Sequence, residues 1–154
     1  MTPTFVVLMA TCLGWGILCG AIVYEHLAVI PVWTQKAPES LTMWRGAHRI
    51  RPERFWMGIH PVLLVLLLAC IALTWSQLAV RNHLLAVAAG YALVIATTAV
   101  YYVPELLRVT RDPDAPIPVP EWETRAKRWG MLCVPRSVLV VALALPLFRA
   151  LTLL

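Results

Sequence analysis

Four long apolar stretches restrict how this chain can fold. They occupy approximately residues 5–33, 55–78, 84–107 and 129–151. As a helix, each is long enough to cross about 30 Å of hydrocarbon. Of the 154 residues, 60% are hydrophobic and only 14% are charged, whereas a soluble domain has about 25% charged residues. The sequence therefore predicts an all-α fold, an integral membrane bundle of four transmembrane helices that uses residues 1–154 as a single domain.

Positive charge is concentrated in two of the connections. The first loop, 34–54, and the third, 108–128, together hold ten of the thirteen Lys and Arg residues. Because Lys and Arg accumulate in cytoplasmic loops, we expect both loops to be cytoplasmic and both termini to lie outside, in the inner membrane of a bacterium. The net charge of +5 then reflects membrane topology. We expect contact with the lipid bilayer and no binding to nucleic acid.

Three ionisable residues lie inside the apolar stretches at a similar depth. Glu25 is about 12 Å from the end of the first stretch at 1.5 Å per residue, His60 is a turn and a half inside the second, and Arg136 is the deepest positive charge of the fourth. Charged groups within transmembrane segments usually face the bundle interior and pair with one another. We therefore predict a polar layer on the cytoplasmic side, in which Glu25 pairs with Arg136 and His60 is free to titrate.

The third stretch adds to this polar layer. Thr97, Tyr101 and Glu105 follow one another at intervals of four residues, so they share one face of a helix, and we expect Arg128 to neutralise Glu105. The layer then holds a carboxylate, an imidazole, a phenol and a guanidinium. The predicted catalytic residues are Glu25, His60, Tyr101 and Arg136. The predicted ligand-binding residues are Tyr24, His26, Thr97, Glu105, Arg128 and Trp129.

These residue types indicate proton transfer in a dry site. His60 or Glu25 would act as a general base on a phenolic or activated C–H proton of a hydrophobic small molecule. Arg136 would stabilise the resulting anion, and Tyr101 would donate a hydrogen bond to it. An anion of this kind can react with oxygen directly, so no cofactor is predicted. A transition metal held by His26, His60 and Glu25 stays open as an alternative.

A non-catalytic interpretation also stays open. Buried ion pairs can fix helix register and hold a bundle together. The chain would then be an accessory or assembly subunit of a larger membrane complex, or a homo-oligomer. Gly14, Gly16 and Gly20 on the first helix would let a neighbouring helix pack closely.

The connections and helix ends carry further signals. A short helix is expected near Ser40–Trp44, with Glu39 close to its start, and the fourth helix is expected to begin in water around Glu121. Tryptophan side chains favour the membrane–water interface, and six of them fall near predicted helix ends. This predicted aromatic belt consists of Trp33, Trp44, Trp56, Trp75, Trp122 and Trp129.

Four segments carry a resemblance to a known family: YEHLAVIPVW, RFWMGIHP, TTAVYYVPEL and RWGMLCVPR. With its small-residue-rich first helix, the chain resembles the bacterial four-helix membrane proteins grouped with the anthrone oxygenases. In that family the first helix carries glycines and a proline near its end. The third ends in T-x-x-x-(aromatic)-x-x-P, and the fourth has a Trp followed about two turns later by an Arg. The matching residues are Gly20, Pro31, Thr97, Tyr101, Pro104, Trp129 and Arg136.

The resemblance implies a function as well as a fold. The best-known members oxidise polycyclic anthrones to quinones without an obvious cofactor. The chain would accordingly be a cofactor-independent oxidoreductase that binds and oxidises a lipid-soluble aromatic or quinone-like molecule. Glu25 and Glu105 are charged where family members are often polar or apolar, so the resemblance does not specify the substrate.

Overall fold

The computed structural model describes residues 2–36, 39–45, 47–111 and 118–154. Within these ranges every regular element is helical, which confirms the predicted all-α class. Four helices are long and apolar enough to cross a membrane. They are α1 (Pro3–Trp33), α2 (Pro52–Leu73), α3 (Leu78–Thr110) and α4 (Val119–Thr152).

The helix bounds differ from the apolar stretches at several points. α2 ends at Leu73, because the chain then enters a short turn in which Gln77 N–H donates to the Thr74 carbonyl at 2.8 Å. α3 begins at Leu78 and continues to Thr110, and α4 begins at Val119, close to the expected start at Glu121. Much of the predicted third loop, 108–128, is therefore helical.

Local sequence explains where the helices start. The Thr2 hydroxyl oxygen accepts a hydrogen bond from Phe5 N–H at 3.3 Å, and Pro3 occupies the first helical position. Proline is tolerated there because the first N–H groups of a helix have no partner within it. α2 and α4 also start with a proline and an acidic residue, and the acid favours the positive end of the helix dipole. These pairs are Pro52 with Glu53 and Pro120 with Glu121.

The four helices form an up-and-down bundle. α1 packs on α2 and α4, and α3 packs on α2 and α4. The end that holds both chain termini and the short turn before α3 is called the terminal end here, and the opposite end is called the loop end. At the loop end a short helix, Glu39–Trp44, packs against α1 and α3, where a short helix was expected.

Buried side chains form two separate clusters. The terminal core fills the half nearest the termini and consists mainly of Leu, Val and Ile, with Trp15 and Tyr91 among them. The loop-end cluster is smaller and more aromatic. It consists of Ile30, Trp33, Leu41, Tyr102, Val109, Trp122, Ala126, Trp129 and Cys133.

The predicted aromatic belt is wrong for three of its tryptophans. Trp33, Trp122 and Trp129 are at most 3% exposed. Trp33 makes edge contacts with Trp129 at 5.3 Å and with Trp122 at 6.3 Å between ring centroids. Tilted pairs of this kind add stabilisation beyond the buried area, so these rings pack on one another at the centre of the loop-end cluster. Trp75 is 58% exposed, as expected of a belt residue.

Two of the helices contain a widened, π-helical turn. These turns are Glu25–Val29 in α1 and Thr98–Tyr102 in α3. Each begins six residues before a proline, Pro31 or Pro104. A proline lacks an N–H and its ring collides with the carbonyl four residues earlier; a wider turn relieves this collision. Such turns often occur at functional sites, and both turns here begin with a polar residue.

Candidate functional site

Arg136 lies between the two buried clusters. On α4, the buried Cys133 before it belongs to the loop-end cluster, and Val140 after it belongs to the terminal core. Arg136 Nη1 donates to Thr98 Oγ1 at 3.3 Å, and Nη2 lies 3.9 Å from Cys133 Sγ. The guanidinium carbon lies 4.4 Å from the centroid of the Tyr102 ring. All three partners are neutral, so Arg136 is held in place without being neutralised.

The predicted pair between Glu25 and Arg136 is not a direct contact. In the described ranges, each Lys, Arg or His nitrogen found within 4.0 Å of an acidic oxygen contacts Glu39, Glu53, Glu105 or Glu121. Glu25 and Arg136 therefore do not form the predicted ion pair.

The widened turn of α3 changes which residues meet Arg136. The sequence predicts that Thr97 and Tyr101 point into the layer, on the assumption of a regular helix. The π-helical turn lies at Thr98–Tyr102, and the direct contacts with Arg136 come from Thr98 and Tyr102. Tyr101 packs edge-on against Tyr102, with 5.2 Å between ring centroids. Thr97 does not contact Arg136 directly but lines a groove beside it.

Tyr102 is fixed by hydrogen bonds between α3 and α4. Its hydroxyl donates to the Leu132 carbonyl at 2.6 Å, and its own carbonyl accepts from Trp129 Nε1–H at 2.9 Å. A buried carbonyl needs such a partner, since leaving it unpaired costs about 1–3 kcal/mol. Trp129 thus acts on the site through Tyr102, because it holds the ring on which Arg136 stacks.

His60 has a partner that the sequence did not indicate. Its Nδ1 lies 2.6 Å from the hydroxyl oxygen of Tyr91, and its ring stacks on Trp56 with 5.8 Å between centroids. Tyr91 is 1% exposed, and its ring contacts Trp15 at 4.9 Å. His60 is therefore oriented from the terminal core, on the side of the layer opposite the loop-end cluster.

Glu105 belongs to a separate ion-pair network. Arg125 Nη1 lies 3.1 Å from Glu105 Oε1, and Arg125 Nη2 lies 2.9 Å from Glu121 Oε1. Arg108 is 4.0 Å from the other Glu105 oxygen. The expected partner, Arg128, is exposed. Arg125 takes its place because it lies one helical turn after Glu121 and reaches both carboxylates.

The remaining predicted residues are dispersed. Tyr24 is 66% exposed and lies on the outer surface of α1. His26 Nδ1 lies 3.0 Å from the Ile22 carbonyl oxygen. Its Nε2 is buried and has no hydrogen-bond partner among the described residues, as is the case for Ser137 Oγ beside Arg136. Buried polar atoms are usually satisfied, so these two atoms have hydrogen-bonding capacity that the described residues do not use.

The side chains proposed as ligands in the alternative transition-metal site do not come together. Within the described part of the chain, no group of three or more His, Cys, Asp or Glu side chains is arranged to hold a metal ion. His26, His60 and Glu25 therefore do not converge as that alternative required.

A groove between α3 and α4 reaches Arg136 from the outer surface of the bundle. Its volume is about 250 Å³, and its walls are mostly apolar. If the helices span a membrane, lipid would cover this surface. Glu25 and His60 do not line the groove. The lining residues are Leu93, Val94, Thr97, Tyr102, Pro135, Arg136 and Leu139.

Comparison of the chain with models of protein families, with curated proteins and with solved structures found no match.

Four neighbours of the site were not predicted from the sequence: Tyr91, Thr98, Tyr102 and Cys133. A tyrosine in the middle of an apolar helix, such as Tyr91, is a usable signal, because a buried hydroxyl needs a partner. Thr98 and Tyr102 repeat the four-residue spacing of Thr97 and Tyr101. Only the position of the widened turn distinguishes the two pairs.

Proposed function

We propose that this chain is a small membrane protein that binds a lipid-soluble aromatic or quinone-like molecule beside Arg136 and oxidises it. The observation that carries the proposal is a half-buried guanidinium with only neutral partners at the wall of an apolar groove. A cation in this position would stabilise an anion that forms on a bound ligand.

The proposed reaction starts with proton transfer. Neither Glu25 nor His60 lines the groove, so the proton would pass to the base through a bridging water. Glu25 is the better base of the two, because it has no cation within 4.0 Å among the described residues, whereas His60 is hydrogen-bonded to Tyr91. Arg136 holds the resulting oxyanion, while Thr98 and Tyr102 hold Arg136. For an activated CH₂ group, the carbanion combines with O₂ and loss of water gives the ketone, so R₂CH₂ and O₂ yield R₂C=O and H₂O.

Unused polar atoms support a binding site over a purely structural layer. A layer that only fixed helix register would gain from satisfying all its members, since a partly satisfied buried network is costly. His26 Nε2 and Ser137 Oγ have no partner among the described residues. We place the site near the cytoplasmic face, because the basic connections lie at the loop end, and no cofactor enters the proposed reaction.

Oxygen uptake with anthrone tests this proposal. Protein in lipid nanodiscs should consume one O₂ per anthrone oxidised, faster than empty nanodiscs do. Glu25→Gln should lower kcat by about 10²- to 10⁴-fold with KM little changed, and Arg136→Gln should lower kcat by about 10²- to 10³-fold. The control is Met131→Leu, because Met131 on α4 is 67% exposed. Equal rates for wild type and Glu25→Gln would refute the proposal.

A second candidate function is an accessory or assembly subunit. Gly14 packs closely against α2, since an added Cβ would lie 2.8 Å from Leu63 Cδ2. A Cβ added at Gly16 or Gly20 would meet nothing within 4 Å. These two glycines form a G-x-x-x-G spacing on an open helix face, which is suited to another transmembrane helix. Gly16→Ile with Gly20→Ile should then dissociate a complex in native mass spectrometry, and a monomeric wild-type protein would exclude self-association.

A further inference from the structure

The groove between α3 and α4 indicates which class of ligand the protein binds and how that ligand enters. We propose that it admits an aromatic oxyanion sideways from the bilayer and binds the anionic oxygen on Arg136. This inference deepens the proposed function, on which it rests, by naming the ligand class and its access route.

The positive charge of Arg136 at the groove favours a ligand with an anionic oxygen. Among the residues that the structure describes, Arg136 is the only charged one that lines the groove. One Nη donates to Thr98 and the other lies near Cys133, so part of its fork of five N–H donors is without a partner among the described residues. Because Tyr102 stacks on the guanidinium plane at 4.4 Å, the donors at the edge of that plane are the ones left for a ligand.

The other walls of the groove are mostly apolar. They include Leu93, Val94, Pro135 and Leu139, which offer apolar contact and no second charge. A ligand with one anionic oxygen on an apolar body matches this lining.

The exposed residues that line the groove indicate how a ligand would reach it. Leu93 is 57% exposed, and Thr97 and Pro135 are also exposed, so the groove opens on the side of the bundle. A lipid-dissolved molecule would enter between α3 and α4 without crossing either end of the protein.

Two matched probes test the role of charge. The probes are 2-hydroxy-1,4-naphthoquinone, a monoanion at neutral pH, and neutral 1,4-naphthoquinone, titrated calorimetrically into protein in nanodiscs. The hydroxylated probe should bind about tenfold more tightly or better. Arg136→Gln should abolish that preference and leave the affinity for the neutral probe unchanged. If Arg136→Gln does not fold, as judged by circular dichroism, Arg136→Lys should fold and retain the preference.

Two further variants test the groove. Leu93→Trp should fill it and weaken both probes, whereas Val100→Trp, at an 81% exposed position on the same helix, should change neither. A preference that survives in Arg136→Gln, or equal binding by the Leu93→Trp protein, would overturn the inference. Displacement of the hydroxylated probe by dodecanoate at equal affinity would also overturn it, because the site would then accept any lipid-soluble monoanion.

The binding assay is independent of turnover. Binding with the expected preference but no oxygen uptake would refute the proposed oxidation and retain the site. Oxygen uptake with no preference for the anionic probe would retain the proposed oxidation and refute the inferred binding of an anion.

Discussion

The terminal core and the loop-end cluster stabilise the bundle in different ways. The terminal core is mainly aliphatic, and its helices approach closely where Gly14 meets Leu63 and Gly90 meets Leu143. The loop-end cluster is smaller and richer in aromatic rings, and in it Trp129 and Tyr102 join α3 to α4 through hydrogen bonds to backbone carbonyls. The terminal core also contains a bond of this kind, from Trp15 to the Val140 carbonyl, but its residues are mainly aliphatic and its stability depends chiefly on packing.

The polar layer lies where these two regions meet, and it draws on both. His60 is oriented by Tyr91 from the terminal core, and Arg136 stacks on Tyr102 from the loop-end cluster. We infer that the terminal core supplies most of the stability and that the loop-end cluster positions Arg136. Substitutions in the two regions should therefore have different consequences.

The largest expected loss of stability follows Trp15→Ala in the terminal core. Trp15 is fully buried, contacts the Tyr91 ring at 4.9 Å and donates from Nε1 to the Val140 carbonyl at 3.0 Å. Removal of the ring should cost about 3–5 kcal/mol in the free energy of unfolding, measured by denaturant titration in detergent. Trp75→Ala, at an exposed position near Arg81, should cost below about 1 kcal/mol. Similar losses for both would mean that the terminal core is not the main source of stability.

A smaller effect is expected when the close helix contact is disturbed. Gly14→Val should cost about 1–3 kcal/mol by overpacking, because the added Cβ would lie 2.8 Å from Leu63 Cδ2. Gly16→Val, two residues away on the same helix, has nothing within 4 Å of the added Cβ and measures the effect of valine on the helix alone. Equal thermal midpoints for the two variants would show that α1 and α2 do not depend on this contact.

In the loop-end cluster, Trp129→Phe should cost about 1–2 kcal/mol, because it leaves the buried Tyr102 carbonyl without its donor. The more specific expectation is a weaker hold on Tyr102 and hence weaker binding of the hydroxylated probe. Trp44→Phe is the matched control, since Trp44 Nε1 has no partner among the described residues. Unchanged probe binding in Trp129→Phe would separate this cluster from the site.

The fold could be predicted from the sequence because the four apolar stretches are long and well separated. The depth of Glu25, His60 and Arg136 was also readable, since each lies inside an apolar stretch whose ends are visible. The burial of Trp129 could not be predicted from the sequence, because a tryptophan near a helix end can belong either to an aromatic belt at the membrane interface or to a packed cluster.

The contacts within the site required the structure. Thr97 and Tyr101 share the spacing of Thr98 and Tyr102, and the choice depends on a widened turn that precedes Pro104. The partner of Glu105 depends on how α3 and α4 cross, which places Arg125 rather than Arg128 within reach. The short-range pattern of one helix does not contain this information.

The central claim is that the polar layer is a site and not a register device, and the unfolding free energy of Glu25→Gln tests it most directly. Because Glu25 makes no direct contact with Arg136, we expect a loss below about 1 kcal/mol, the smallest of these effects. Glu105→Gln, which removes a carboxylate in contact with Arg125 at 3.1 Å, should lower the thermal midpoint further. A loss of about 3–5 kcal/mol for Glu25→Gln, as expected when a buried ion pair is broken, would contradict the claim and make the layer a structural element.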